Sequence, residues 1–188
     1  MNPIKTIGHS NQPIDRFVGL LKAGGVDVLV DVRSTPYSRR FPQFGRERLT
    51  ASLAAADILY RYEGAALGGK PEGGASYDDL AARPAFTAAL DRLVHGAADA
   101  TLCLMCAEKE PLDCHRTVLV SRRLAERGMA IEHLLADSRS EPHRAIEEKL
   151  LAKSDPDGPD LFTQQEDRAT LLARAYQARE RAMKGTSA

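Results

Sequence analysis

The 188-residue sequence has no tryptophan, only three cysteines, 5% aromatic residues and no net charge, with 26 Lys and Arg against 26 Asp and Glu. Each scarcity excludes something. Three cysteines, a small and odd number, argue against a disulfide framework and for a reducing compartment. No stretch reaches the roughly eighteen apolar residues that a membrane-spanning helix needs, and the first residues lack the basic-then-apolar pattern of a secretory leader. The expectation is a cytoplasmic protein with no membrane partner. Balanced charge excludes a bulk polyanion binder, because phosphate affinity needs uncompensated Lys and Arg. What is present, 43% hydrophobic and 28% charged residues, is the composition of a globular chain able to bury a core.

Short apolar runs alternate with helix-periodic segments. Strands are predicted at 4–7, 28–32, 58–62, 101–106 and 129–135. Helices are predicted after Pro13, with Ile14, Phe17, Leu20 and Leu21 on one face, and at 46–56, 84–94 and 114–127. Runs 28–32 and 101–106 are apolar throughout, the pattern of strands covered on both faces. The order predicts a three-layer α/β/α fold around a mainly parallel sheet of about five strands, with right-handed crossovers. Five glycines between 64 and 74 read as a loop. Residues 1–140 are expected to form the α/β domain and 141–188 a helical C-terminal extension docked on it, with helices at 143–153 and 164–183 joined by a turn-rich linker at 154–160. Leu171, Leu172, Ala175 and Ala178 give the last helix a narrow apolar stripe. A helix of this kind serves a monomer, by docking on its own domain, or a homodimer.

In open α/β sheets ligands bind beyond the carboxyl ends of the strands, so the loops there hold the candidates. The first carries His9, Ser10 and Asn11, and the second Asp31, Arg33 and Ser34. Tyr62 precedes the glycine-rich run with Gly68 and Gly69, and Cys106 and Glu108 lead to Cys114, His115 and Arg116. Between Arg33 and Arg48 five arginines face one glutamate, and Arg33, Arg39 and Arg40 are candidate anion ligands because guanidinium forks suit phosphate and carboxylate. Cys106 and Cys114 are candidate thiolates, the latter near a helix start that Asp113 would cap. His9 and His115 are candidate proton carriers, and Asp31 and Glu108 candidate orienting acids. Asp31, closing an apolar strand, requires a partner such as Arg33. No metal is assigned: Cys103 and Cys106 have the spacing of a metal knuckle but, three apart on a strand, face opposite sides, which makes Cys103 core. No cofactor is assigned either.

Several of these segments, taken in order, resemble the bacterial DUF488 family: Thr-Ile-Gly-His-Ser-Asn at 6–11, Leu-Val-Asp-Val-Arg-Ser-x-Pro at 29–36, Ser38-Arg39 before Phe41-Pro42-x-Phe44, Leu67-Gly68-Gly69, and Cys106-Ala107-Glu108 with Cys114-His115-Arg116. The resemblance spans residues 4 to about 135 and implies a shared fold and shared residues, with no established reaction. A weaker resemblance is to rhodanese-like domains, through the Asp-Val-Arg strand and the later cysteine. The leading expectation is a strand-end Cys/His/Arg cleft that binds, and acts on, a small anionic or nucleotide-like ligand. The alternative is a nucleic-acid-associated module using the basic loop at 33–48.

Overall fold

The structure is a computed structural model that describes residues 2–70, 72–154 and 166–185. Its centre is a six-stranded sheet: β1 (Ile4–Gly8), β2 (Val28–Asp31), β3 (Leu59–Tyr62), β4 (Leu102–Cys106), β5 (Ile131–Leu134) and β6 (Ser140–Pro142), in the spatial order β3-β2-β4-β1-β5-β6. The first five are parallel and β6 is antiparallel to β5. The sixth strand exceeds the predicted five. Its three residues, Ser-Glu-Pro, have no apolar alternation to reveal it, and it forms because the chain reverses at 135–139, where Leu135 N–H donates to the Arg139 carbonyl at 2.8 Å.

Helices cover both faces. α1 (Ile14–Ala23) and α2 (Arg46–Ala54) pack one face with Phe17, Leu21, Leu49 and Leu53 against Leu29, Cys103 and Met105. On the other face, Phe86, Leu90 and Leu93 of α5 (Pro84–Asp99) meet Val30, Leu104 and Cys106. The alternation of β4 therefore puts Cys103 and Cys106 in different cores, as their odd spacing requires. The glycine-rich segment is not wholly loop, since Gly64–Leu67 makes one helical turn, α3; just beyond it Tyr77–Ala81 forms a short helix, α4, opened by the capping box of Ser76 and Asp79.

The predicted helix at 114–127 also differs in detail. A 3₁₀ turn at Pro111–Asp113 precedes an extended Cys114, then Arg116–Ser121 winds as a π-helix before α6 (Arg122–Glu126). Ser121 Oγ donates to the Arg116 carbonyl at 2.7 Å, satisfying an oxygen inside the wide turn. Asp113 does not cap this helix; its carboxylate pairs with Arg179 at 2.5 Å. At the C-terminal end, α7 (His143–Ser154) and α8 (Arg168–Gly185) bury Ile146, Leu150, Ala175 and Tyr176 in the α5 core. Ala178, read as part of the apolar stripe, is exposed, because the buried face of α8 is centred on Tyr176. The linker predicted at 154–160 and the start of the helix predicted at 164–183 fall largely outside the described residues. No described helix is long and apolar enough to cross a membrane.

Candidate functional site

The register places the carboxyl ends of four strands side by side: Gly8 opposite Cys106, and Asp31 opposite both Met105 and Tyr62. β2 connects outward to β3 and β4 connects the other way to β5, so the crevice between them is the switch point at which such sheets take ligands. A cleft of about 1060 Å³ opens there, with His9, Arg33, Cys106, Glu108 and His115 among its lining residues. A second cavity, of about 700 Å³ beside α7, has no thiol or imidazole in its lining.

Four reactive groups meet at the cleft floor. Both sulfurs lie within hydrogen-bonding distance of Glu108 Oε2, Cys106 at 2.9 Å and Cys114 at 3.0 Å, and His115 Nδ1 lies 3.4 Å from the Cys106 sulfur and 4.0 Å from that of Cys114. All four ligand-type atoms fall within 4.8 Å of one another. His115 Nε2 is 2.9 Å from the Val32 carbonyl, an oxygen that only accepts. The ring is therefore protonated at Nε2, and Nδ1 faces the sulfurs.

The electrostatics follow from burial and proximity. Burial and the neighbouring Cys114 push the Cys106 thiol well above its ordinary value. Burial opposes ionisation of Cys114 too, but donation from Cys106, the Arg116 guanidinium and His115 outweigh it and hold that thiol well below the usual range. Glu108 is exposed as a residue, but its carboxylate is turned in against the two sulfurs, and the desolvation there, with Cys114, raises its pKa. His115 is raised because Cys114 overcomes the cost of burial.

Backbone geometry supports the cluster. Arg116 donates to the carbonyls of Glu108 at 2.6 Å and Lys109 at 3.1 Å, and its amide N–H donates to Cys114 Sγ at 3.4 Å. The Glu108 carbonyl presses so close to β1 that a Cβ on Gly8 would lie 1.9 Å from it, and a Cβ on Gly69 would lie 2.3 Å from the His115 ring. Both positions demand glycine for room. Gly68 likewise packs on Ser34 and α3, so Gly68 and Gly69 serve packing, Gly69 also lining the cleft.

The other predicted residues are divided. Arg33 is buried and forks onto Asp31 at 2.9 and 2.6 Å, donates to the Phe44 carbonyl at 2.9 Å and reaches His9 Nε2 at 3.2 Å. Asp31 also accepts from the Tyr60 hydroxyl at 2.8 Å. Most of the guanidinium is therefore engaged inside the protein. His9 Nδ1 donates to the Ser10 carbonyl at 2.8 Å while its ring stacks on Phe44, and burial lowers its pKa to about 4, so the ring is neutral at pH 7. Tyr62 donates to the Ser34 carbonyl at 3.0 Å. Asn11, Arg39 and Arg40 are exposed, and neither they nor Ser10 line the cleft.

Several wall residues were not legible in the sequence. Lys70, Tyr77, Arg179 and Lys184 line the cleft, the last two lying on α8 more than sixty residues beyond Cys114. No local pattern signals so distant a contribution. Tyr60, as the partner of Asp31, was legible in principle from alternation along β3. The set able to hold a metal is likewise not the Cys103/Cys106 pair but Cys106, Glu108, Cys114 and His115.

Such a fold and site define an α/β protein with a parallel sheet and a cysteine- and histidine-bearing crevice at its strand ends. The chain belongs to the family described as domain of unknown function DUF488, whose sequence pattern matches residues 13–123. No curated protein and no solved structure matches it. The rhodanese-like resemblance finds no support. In place of a cradle of backbone amides after Cys106, the loop turns a carboxylate onto the sulfurs, and Arg116 faces the loop's own carbonyls.

Proposed function

We propose that the strand-end cleft binds a small anionic or nucleotide-like ligand and presents it to the cluster of Cys106, Glu108, Cys114 and His115, where it reacts. One observation carries this reading: cations from separate elements rim the cleft whose floor is that cluster. Lys70 comes from the glycine-rich segment and Arg179 and Lys184 from α8. Arg179 and Lys184 are paired with Asp113 and Glu180, whereas Lys70 has no carboxylate partner among the described residues. An incoming anion gains those charges in a recess, where screening is weaker than on open surface. The volume suits a metabolite-sized molecule.

Calorimetric titration with inorganic phosphate and with adenosine monophosphate tests it. Saturable binding of at least one probe is expected, weakened about tenfold by Lys70→Ala, a loss of about 1.4 kcal/mol, with an unchanged thermal midpoint. Absence of saturable binding by either probe, or indifference to Lys70→Ala and Lys184→Gln together, refutes it.

The nucleic-acid reading keeps one observation in its favour: Arg39, Arg40, Arg46 and Arg48 are exposed and make no ion pair among the described residues. They lie outside the cleft lining, so this reading would use a different surface from the reactive cluster.

A further inference from the structure

We propose that Cys106, Cys114 and His115, with Glu108 as a fourth, cleft-facing ligand, form a binding site for one divalent ion of the zinc type. The inference deepens the reading of this cluster as the reactive floor of the cleft and rests on it.

Geometry comes first. A tetrahedral zinc site has metal–sulfur bonds of about 2.3 Å and metal–nitrogen or metal–oxygen bonds of about 2.0 Å, which places its ligand atoms roughly 3.3–3.8 Å apart. The separations from sulfur to the carboxylate and imidazole are 2.9, 3.0, 3.4 and 4.0 Å. Each lies within about half an ångström of that range, and no pair in the set exceeds 4.8 Å. Drawing even the widest pair the set allows into that range moves its atoms together by at most about 1.5 Å.

The donor set selects the ion. Two sulfurs, one imidazole nitrogen and one carboxylate oxygen are too soft for magnesium or calcium, which take oxygen shells, and suit zinc or cobalt. Charge agrees: two thiolates, one carboxylate and a neutral imidazole total three negative charges, and a divalent cation reduces them to one. Without a cation the same packing has to be held by shared protons.

The surroundings are those of a prepared ligand shell. Metal-bound histidines characteristically donate their second N–H to a carbonyl or carboxylate, and His115 Nε2 does so to Val32. The Arg116 amide donates to Cys114 Sγ, and its guanidinium holds the loop that carries Glu108. Cys106, Cys114 and His115 are buried while Glu108 is exposed at the mouth. Three inner ligands and one outer, exchangeable one is the pattern of an open rather than a closed zinc site. An anion entering the cleft meets the ion at the position Glu108 holds.

The test uses the full chain with thiols kept reduced. After chelation, zinc and cobalt are titrated separately and the bound metal is counted by elemental analysis. One equivalent per chain is expected, with a raised thermal midpoint and, for cobalt, a near-ultraviolet thiolate-to-metal band together with intense tetrahedral bands in the visible. Cys106→Ser should weaken binding at least a hundredfold and reduce the thiolate band by about half. Glu108→Gln should weaken it about tenfold, and Cys103→Ser, in the opposite core, should leave it unchanged. If either ligand variant misfolds, the cobalt spectrum of the unaltered protein decides by itself, since the band requires thiolate ligation. Failure of the reduced protein to take up a saturable equivalent, or equal loss with Cys103→Ser, overturns the inference. Phosphate titration of metal-free protein separates the two readings: phosphate binding without metal uptake removes only the metal site, and metal uptake without phosphate or nucleotide binding removes only the anion cleft.

Discussion

Asp31 is fully buried at the end of an apolar strand, and an unpartnered carboxylate there would be too costly to keep. Arg33 answers with two parallel hydrogen bonds and Tyr60 with a third. The expectation that Arg33 is chiefly an anion ligand therefore gives way to a structural role with one edge facing the cleft. Removing it leaves the Asp31 charge buried and unpaired. Arg33→Ala should lower stability by about 3–5 kcal/mol and the melting temperature by on the order of 10 °C, read by calorimetry. An unchanged midpoint would return Arg33 to the role of a dispensable ligand.

A hydrogen-bonded chain of side chains ties four elements together on the far side of β1. Thr6 Oγ1 lies 2.8 Å from His133 Nδ1, His133 Nε2 3.0 Å from His143 Nδ1, and His143 Nε2 3.0 Å from the Tyr176 hydroxyl, linking β1, β5, α7 and α8. The two facing ring nitrogens share a single proton, one donating and the other accepting, so the chain cannot survive protonation of both histidines. Burial depresses both, His143 to about 4 and His133 well below its ordinary value, with His143 and Arg116 adding to the effect on His133. The unfolded chain takes up these protons below about pH 6.5 and the folded chain does not until far lower. Stability is then complete above about 6.5 and falls as pH drops toward 4, by about 3 kcal/mol from His143 alone, and His9 contributes with the same sign. Urea unfolding between pH 7.5 and 4.5 should show that slope, and His143→Gln should flatten it. Tyr176→Phe, measured at pH 7.5, should cost about 1–3 kcal/mol through the unpaired imidazole.

Over the whole molecule the neutrality of the chain resolves into regions. The basic loop splits: Arg33 turns inward and is neutralised, while Arg39, Arg40, Arg46 and Arg48 remain outside. The acidic residues at 108–113 join the cleft through Glu108 and Asp113, against Lys70, Arg179 and Lys184. If the exposed arginines bound nucleic acid, affinity for a single-stranded oligonucleotide would fall with a log–log salt slope of about −3. The cleft reading expects no measurable oligonucleotide binding at 150 mM salt, and only a shallow dependence for phosphate. A steep slope that Arg39→Ala and Arg40→Ala together reduce would instead favour the nucleic-acid reading.

Much of this was legible in the sequence because it depends on local periodicity. Apolar runs of four to six residues between helical patterns specify a parallel sheet. Strand ends then specify where polar residues gather, so Cys106, Glu108, Cys114 and His115 are legible in the sequence as neighbours at the sheet's carboxyl edge. The odd spacing of Cys103 and Cys106 correctly separated them, because a strand's period is two. Tertiary structure decided what depends on distance in the chain. β6 has no pattern of its own and exists only because β5 offers it an edge. Arg179 and Lys184 reach the cleft only because α8 turns Tyr176 into the core. Arg33 and Arg39 look alike in sequence, yet one is locked to Asp31 and the other faces solvent. The sequence determined which groups lie at the sheet's edge, since alternation and strand order are local properties. Which of them meet, with two sulfurs, a carboxylate and an imidazole within 4.8 Å, was set by packing, through Gly8 and Gly69 leaving room for the loop and the ring.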